Sequence, residues 1–362
     1  MIRISNIQLF VLIMAFEVGS TTLFALGIGA GRDAWIVVLL AALIGLCLLW
    51  VYTAFPKQYP NKDFSEILNE LLGKKLAKPL LLLFGFQFLS AASHNFYEFG
   101  ALIKITALPL TPSLVILYFY IIVIIYILCL GFEVLARTCE VLLPYLVMFL
   151  MIIFIFISLS GQFDLSTLQP VLGAGIQNVI GVELIEVIAF PFGEMIIFLM
   201  FFHYIGDQKL IRRTAFLAVG LSALLLFASL IMMISTLGPE LTANAEIPLL
   251  EMVLSINIAD IITNLDSIAV FILFIGGFYK TALHFLGFAL AITWFFNKKN
   301  PKWILIIGGL LFPLYVVNRF QGLHDQRWKG FEVNIPTIFL YAFLPVLLFI
   351  IMSIKKRKKS PS

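Results

Sequence analysis

The stretch EVIAFPFGEMIIFL at 186–199 decides the fold, because it forms the centre of an apolar run and yet carries a proline and a glycine. Proline lacks a backbone donor and clashes with the preceding turn, and glycine weakens the turn that follows. In lipid, the backbone groups that such a break frees are tolerated only where protein or a watered cavity satisfies them. We therefore expect a broken helix and a binding site at Pro191, Phe192, Gly193 and Glu194.

The composition places most of the chain in lipid. Of its 362 residues, 62% are apolar and 12% are charged, about half of the ~25% that is usual for soluble domains. The mean hydropathy is +1.06. A water-soluble fold could not cover this much apolar surface with polar groups. A soluble enzyme, a nucleic-acid binder and a disordered chain are therefore excluded.

Ten apolar runs are long enough for a helix to cross a bilayer, which takes ~20 residues. The predicted spans are 6–30, 34–55, 79–107, 112–131, 138–160, 181–203, 214–237, 265–297, 303–320 and 335–354. Two sets of five helices give an inverted repeat, because an odd number of crossings turns the second set over. The sequence predicts one membrane domain over 1–362, with repeats at 1–160 and 181–354 and a basic cytoplasmic tail at 355–362.

The first span is interrupted at the same depth as the sixth. It contains AFEVGSTTLFALGIGAG at 15–31, with Glu17, Gly19, Ser20 and Thr21 about halfway along. Glycine and small hydroxyl residues are poor at holding a continuous helix there. Each site alone could be a simple kink, but two breaks at equivalent positions favour a binding site between them. The predicted fold is an all-α polytopic membrane protein whose first and sixth helices are broken at mid-membrane.

The basic residues set the orientation. With both termini in the cytoplasm, most of the 24 Lys and Arg residues lie inside, and the long segments 161–180 and 238–264 carry none. This is the distribution that the positive-inside rule requires. The basic tail is interpreted as an anchor on anionic lipid, and no nucleic-acid partner is expected.

Two connections have local patterns of their own. Residues 61–78 carry a capping-box spacing at Asp63 and Glu66 and an apolar stripe, which predict a short amphipathic helix on the cytoplasmic surface. Residues 248–262 predict another short helix on the outer side, over the mouth of the bundle. Both segments could instead be simple packing elements.

Charged groups at membrane depth are costly unless paired or wetted, so each is a functional candidate. Lys280 falls about halfway along the eighth span, and charge balance predicts that it pairs with Glu194 or Glu17. Asp266 lies nearer the outer end of the same span. The third span carries a polar face that includes His94, Tyr97 and Glu98. For each of these residues, a structural pair and a ligand contact are equally open.

No catalytic or metal-binding pattern appears in the sequence. The four histidines and three cysteines have no metal-ligand spacing. No glycine-rich phosphate loop and no Ser-His-Asp arrangement is apparent, and His324-Asp325 is the only pair that a membrane acyltransferase could use. We expect no metal, no cofactor and no enzymatic activity.

Three segments resemble the spore germination permease family, the GerAB/GerBB-type B subunits of germinant receptors. They are ISNIQLFVLIMAFEVGSTTL at 4–23, AFPFGEMIIF at 189–198 and LDSIAVFILFIGGFYKTALHF at 265–285. The resemblance covers essentially the whole chain, and the stretch at 190–194 is its most specific part. One departure stands before span eight, where only Asp266 matches the acid-arginine-x-acid element that the family often shows.

The resemblance implies the fold of the amino acid–polyamine–organocation (LeuT/APC-like) transporters. It implies a protein of the spore inner membrane that works with a larger A-type membrane subunit and a C-type lipoprotein subunit. It would sense a small germinant, often an amino acid such as L-alanine and sometimes a sugar or nucleoside. A proton-coupled amino-acid symporter of the same fold is the alternative, with a buried carboxylate or Lys280 carrying the proton.

The expected site lies between helices one, three, six and eight. Helix N-terminal N–H groups favour anions, so the backbone of Gly19–Thr21 is expected to hold a ligand carboxylate, with Glu194 or Glu17 on the amino group. The predicted ligand-binding residues are Glu17, Gly19, Ser20, Thr21, His94, Tyr97, Pro191, Phe192, Gly193 and Glu194. The residues predicted for charge pairing or coupling are Glu98, Asp266 and Lys280.

Overall fold

The computed structural model describes residues 3–256, 265–332 and 334–359, and these residues are almost entirely helical. The helices up to residue 189 are α1 Asn6–Val18, α2 Ala34–Tyr52, α3 Ala54–Gln58, α4 Phe64–Leu72, α5 Lys74–Thr106, α6 Ser113–Leu130, α7 Phe132–Leu159, α8 Gln177–Ile180 and α9 Val182–Ala189. The helices after it are α10 Ile211–Asn244, α11 Pro248–Leu254, α12 Asp266–Phe295, α13 Lys302–Arg319, α14 Leu323–Glu332, α15 Asn334–Ile338 and α16 Leu344–Lys359.

Nine segments in the described part of the chain are long and apolar enough to cross a membrane. They correspond to nine of the ten predicted spans. The sixth predicted span, 181–203, is not among them, because α9 ends at Ala189 and the chain continues as a 3₁₀ helix over Phe192–Met200. The count of ten and the division into two repeats stay predictions.

The outer faces of the long helices carry large apolar side chains. Phe119 on α6 is 71% exposed and Leu224 on α10 is 63% exposed. Apolar surface of this kind is costly in water and is satisfied by lipid. The chain is a multi-pass membrane protein.

The centre of the bundle is built on α5 and α12, which pack along each other. Helix α12 also packs against α1 and α7, and α1 packs against α10. Gly19, just after α1, and Gly276 of α12 lie with their backbones in contact. A side chain at either position would push the two backbones apart. The two glycines therefore set the distance between α12 and the break after α1.

The predicted amphipathic helix after span two is confirmed as α4. The Asp63 side chain accepts from the Glu66 amide at 2.8 Å, and the Glu66 side chain accepts from the Asp63 amide at 3.0 Å. Phe64, Ile67 and Leu68 are buried against the bundle. The predicted helix at 248–262 is confirmed for its first part as α11, and residues 257–262 lie outside the described residues.

Candidate ion cluster and cavity at the helix breaks

The first helix ends at the residues that the sequence marked. Helix α1 ends at Val18, and Gly19 has non-helical backbone angles (φ −33°, ψ −99°) before a 3₁₀ turn over Ser20–Leu23. The Gly19 amide donates to the Ala15 carbonyl at 3.2 Å, and the Thr22 hydroxyl donates to the Gly19 carbonyl at 3.1 Å. The local side chains therefore satisfy part of the backbone that the break exposes.

The second interruption lies after α9. Phe190 is extended (φ −130°, ψ 119°), and Pro191 starts a 3₁₀ segment in which the Glu194 amide donates to the Pro191 carbonyl at 3.1 Å. Since proline has no amide hydrogen, one backbone hydrogen bond of a continuous helix is missing at this position. This geometry turns the Glu194 side chain, which is 6% exposed, into the bundle.

Lys280 joins both interruptions to α12. Its ammonium lies 2.8 Å from Glu194 Oε2 and donates to Thr21 Oγ1 at 3.3 Å. It also lies 3.8 Å from the centre of the Phe190 ring and 5.2 Å from that of Phe16. A fully buried ammonium needs a counter-charge, and here the carboxylate and two aromatic faces supply it. Of the two carboxylates that the sequence offered, Lys280 contacts Glu194.

His284 lies one turn further along α12. Its Nδ1 is 3.1 Å from the Lys280 carbonyl, which can only accept, so Nδ1 carries a hydrogen and donates it. Nε2 lies 3.8 Å from Glu194 Oε1. The ring is fully buried and packs on Phe16.

Glu17 is the second buried carboxyl group at the helix breaks. Together, Glu17, Glu194 and Lys280 form the ion cluster. It is 0% exposed, and neither of its oxygens has a hydrogen-bond partner among the described residues. It lies in the last turn of α1, next to Phe16 and two residues before the break. The structure thus places a partnered and an unpartnered carboxyl group on the two interrupted helices.

A narrow cavity of about 20 Å³ lies beside the first break. It has room for about one water molecule and is far smaller than the ~300–1,000 Å³ of small-molecule sites. Helices α5, α12 and α14 supply much of its wall. Its lining is Ser20, Leu23, Phe24, Asn95, Glu98, Phe99, Leu102, Glu246, Ile247, Leu273, Gly277, Leu323, Gln326 and Arg327. The wall is mainly apolar and carries a few acidic, basic and amide groups, so its chemistry matches a small molecule with an apolar part and charge, which the helices would have to move apart to admit.

The polar groups of the cavity are held by hydrogen bonds. The Ser20 hydroxyl donates to Asn95 Oδ1 at 3.0 Å, which connects the first break to α5. Gln326 Nε2 lies 2.7 Å from Glu98 Oε1, which it donates to, and 3.0 Å from His94 Nδ1. Helix α14 is therefore tied to α5 across the cavity.

Comparison with known proteins identifies the family. A family model described as "Spore germination protein" matches residues 3–321. The chain belongs to this family. It is 32% identical to spore germination protein KB of Bacillus subtilis (strain 168) over 99% of this chain and 97% of that protein, and 25% identical to spore germination protein A2 of the same organism over 90% and 87%.

Two solved structures share the fold of this chain. The crystal structure of MhsT in complex with L-phenylalanine matches with a TM-score of 0.69 at 15% identity, over 96% of this chain and 88% of that one. A Na⁺-coupled sialic acid symporter matches with a TM-score of 0.63 at 13% identity, over 94% and 78%. These two structures show that the chain has the LeuT/APC-like architecture.

The remaining predicted site residues are not among those that line the cavity. Phe192 packs on Gly45 of α2, and the Gly193 carbonyl accepts from the Tyr52 hydroxyl at 3.4 Å. His94 and Tyr97 both pack on the ring of Phe320. Asp266 begins α12, and its side chain lies outside the described residues. Among the predicted residues, Ser20 and Glu98 line the cavity.

Several lining residues were not among the sequence predictions. Asn95 lies between His94 and Tyr97 of the polar face of span three. A polar side chain so far inside an apolar span is a sequence signal that could have identified it. Gln326 and Arg327 belong to the connection between the last two predicted spans, and only the tertiary fold brings α14 over the cavity. Arg319, at the end of α13, was not predicted either. Its guanidinium donates to Ser93 Oγ at 2.6 Å and to Ser90 Oγ at 2.9 Å, which connects α13 to α5.

Proposed function

We propose that this protein is the germinant-sensing membrane subunit of a spore germinant receptor. It binds a small germinant, an amino acid such as L-alanine, at mid-membrane and signals to partner subunits to start germination. The observation that carries the proposal is the cavity beside the first helix break, in a chain of the spore germination family. The fold relative that was solved with L-phenylalanine supports an amino acid as the ligand class.

The charges of the cavity support a zwitterionic ligand. Glu98 offers a carboxylate to an ammonium group, and Arg327 offers a guanidinium to a carboxylate. Glu194 is less suited to the ligand than the sequence suggested, because Lys280 already neutralises it. Leu23, Phe99 and neighbouring side chains leave an apolar surface for the ligand's own side chain.

Signalling requires that the ligand bind one arrangement of the helices better than another. The cavity wall combines Ser20 at the first break with Gln326 on α14, so a ligand there contacts both. In the proposed receptor, the resulting shift passes to an A-type membrane subunit and a C-type lipoprotein subunit in the spore inner membrane, with both termini of this chain cytoplasmic. Co-purification of the tagged chain with those two subunits from spores tests the assembly.

The alternative function is a proton-coupled amino-acid symporter, which the transporter neighbours favour through their shared fold. Purified protein in sealed vesicles should be given a panel of labelled amino acids with and without a proton gradient. Saturable binding without accumulation is the result expected for a sensor. Gradient-driven accumulation that is lost in Glu194→Gln would instead make the protein a symporter.

A further inference from the structure

The ion cluster at the two breaks contains unequal numbers of acidic and basic groups. Glu17 and Glu194 bring two carboxyl groups to it, and Lys280 brings one ammonium. All three side chains are buried. Lys280 neutralises Glu194, and Glu17 has no hydrogen-bond partner within the described part of the chain.

An ionised carboxylate in this position would be unfavourable. Burial of a charge away from water costs many kcal/mol unless it is paired or hydrogen-bonded, and the group then takes a proton instead. Among the residues that the structure describes, neither oxygen of Glu17 has a hydrogen-bond partner, and Lys280 is paired with Glu194. In the described arrangement Glu17 is therefore the neutral acid, and the cluster carries one proton in addition to the ammonium.

Lys280 is positioned between the two carboxyl groups. From α12 it contacts Glu194 and Phe190 at the second break, and it also contacts Thr21 and Phe16 of the first helix. Phe16 adjoins Glu17 in sequence. A lysine ammonium has three donors on a flexible four-carbon stem, so a small displacement of one helix could change which carboxyl group it meets.

We propose that Lys280 alternates between Glu194 and Glu17, and that the carboxyl group it leaves holds one proton. In the described state, Lys280 pairs with ionised Glu194 and Glu17 is protonated. In the other state, Lys280 pairs with ionised Glu17 and the same proton is on Glu194. One ammonium, one carboxylate and one carboxylic acid are present in both states, so the cluster stays neutral overall.

The proton is therefore on Glu17 or on Glu194 according to how the two interrupted helices lie relative to each other. This goes beyond the proposed function, since it concerns a proton rather than the germinant and holds for a sensor and for a symporter. Other titratable groups also face the cluster. They are His284 on α12, Glu98 on α5, Tyr52 on α2 and Tyr341 near the C-terminal helix.

Infrared spectroscopy of the full chain in lipid vesicles at neutral pH tests the proposal without any ligand. A buried carboxylic acid gives a C=O band that a carboxylate lacks. The wild type should show a band that disappears in Glu17→Gln. It should also disappear in Glu194→Gln, because Lys280 is then free to pair with Glu17 and ionise it. Glu98→Gln is the control for the third buried acid and should leave the Glu17 band in place.

Two results would overturn the proposal. One is a wild-type spectrum without a Glu17 band, which would put the proton elsewhere. The other is a Glu17 band that persists unchanged in Glu194→Gln, which would mean that Lys280 does not reach Glu17. If Glu194→Gln does not fold, Glu194→Leu takes its place. It also frees Lys280, so the Glu17 band should again disappear, and a band that persists would contradict the exchange.

Discussion

Gly19 and Gly276 lie backbone against backbone. A Cβ built on Gly276 would lie 2.0 Å from the Cα of Gly19 and 2.8 Å from the amide nitrogen of Ser20. Atoms that close cannot coexist, and neither backbone can move as a flexible side chain would. The contact therefore holds the first helix break against α12, where Lys280 reaches it.

The first prediction concerns this contact. Gly276→Ala should lower the free energy of unfolding by at least ~1–3 kcal/mol, the usual cost of overpacking, because the new methyl group meets backbone. Thermal unfolding in detergent measures it. Gly220→Ala on α10 is the matched control, since no atom of the described residues lies within 4 Å of its Cβ position. It should be neutral or stabilising by ~0.5–1 kcal/mol. Equal melting temperatures for Gly276→Ala and the wild type would contradict the packing argument.

The second prediction concerns the buried ion pair. Lys280→Met should destabilise the protein strongly, because removing one partner of a buried pair costs ~3–5 kcal/mol. The double variant Lys280→Met with Glu194→Gln should recover most of this loss, since no unpaired charge remains. Unfolding of the single and double variants measures the coupling.

A surface pair provides the control for that experiment. Lys62 contacts Glu70 on α4, and their side chains are 39% and 41% exposed. Lys62→Met should therefore change stability by only ~0–1 kcal/mol. If Lys280→Met behaved like Lys62→Met, the Lys280–Glu194 pair would not hold the two breaks together.

The third prediction is a pH dependence at the cap of α4. Burial raises the pKa of Asp63 from 3.8 to about 6. The folded state therefore binds this proton more tightly than the unfolded chain, and the associated stability is present below pH about 4 and is lost as the pH rises through 6. Asp63→Asn keeps an N-cap acceptor and cannot ionise. It should be more stable than the wild type at pH 7.5, and the difference should shrink towards pH 4.

Asp63→Ala separates the charge from the cap. It loses the hydrogen bond to the Glu66 amide, which should cost ~1 kcal/mol. Thermal unfolding of the three proteins between pH 4 and 8 measures both effects. A constant difference between Asp63→Asn and the wild type across this range would show that Asp63 does not titrate there.

Local features of the fold were predictable from the sequence. The capping box at Asp63 and Glu66 depends on a spacing of three residues, so the pattern alone is sufficient to place α4. The long apolar runs give nine of the spans for the same reason. The sixth was different, because Pro191 and the residues after it adopt a 3₁₀ path whose length no local pattern specifies.

The candidate site depends on helix rotation and tertiary packing, which composition does not encode. Phe192 lies at the predicted depth but packs on Gly45 of α2 rather than lining the cavity. Charge balance limited the partner of Lys280 to two carboxyl groups, and the rotation of the helices selects Glu194. Gln326 and Arg327 reach the cavity only because α14 folds over α5.

Equilibrium binding of labelled L-alanine and L-phenylalanine to the purified protein tests the central claim most directly. The account predicts saturable binding of at least one of them. Glu98→Gln should weaken that binding about tenfold or more, because a charge-assisted hydrogen bond contributes ~1.5–3 kcal/mol. Glu251→Gln, on the exposed face of α11, should leave it unchanged. Binding that is equally strong in wild type and Glu98→Gln would contradict a germinant site in this cavity.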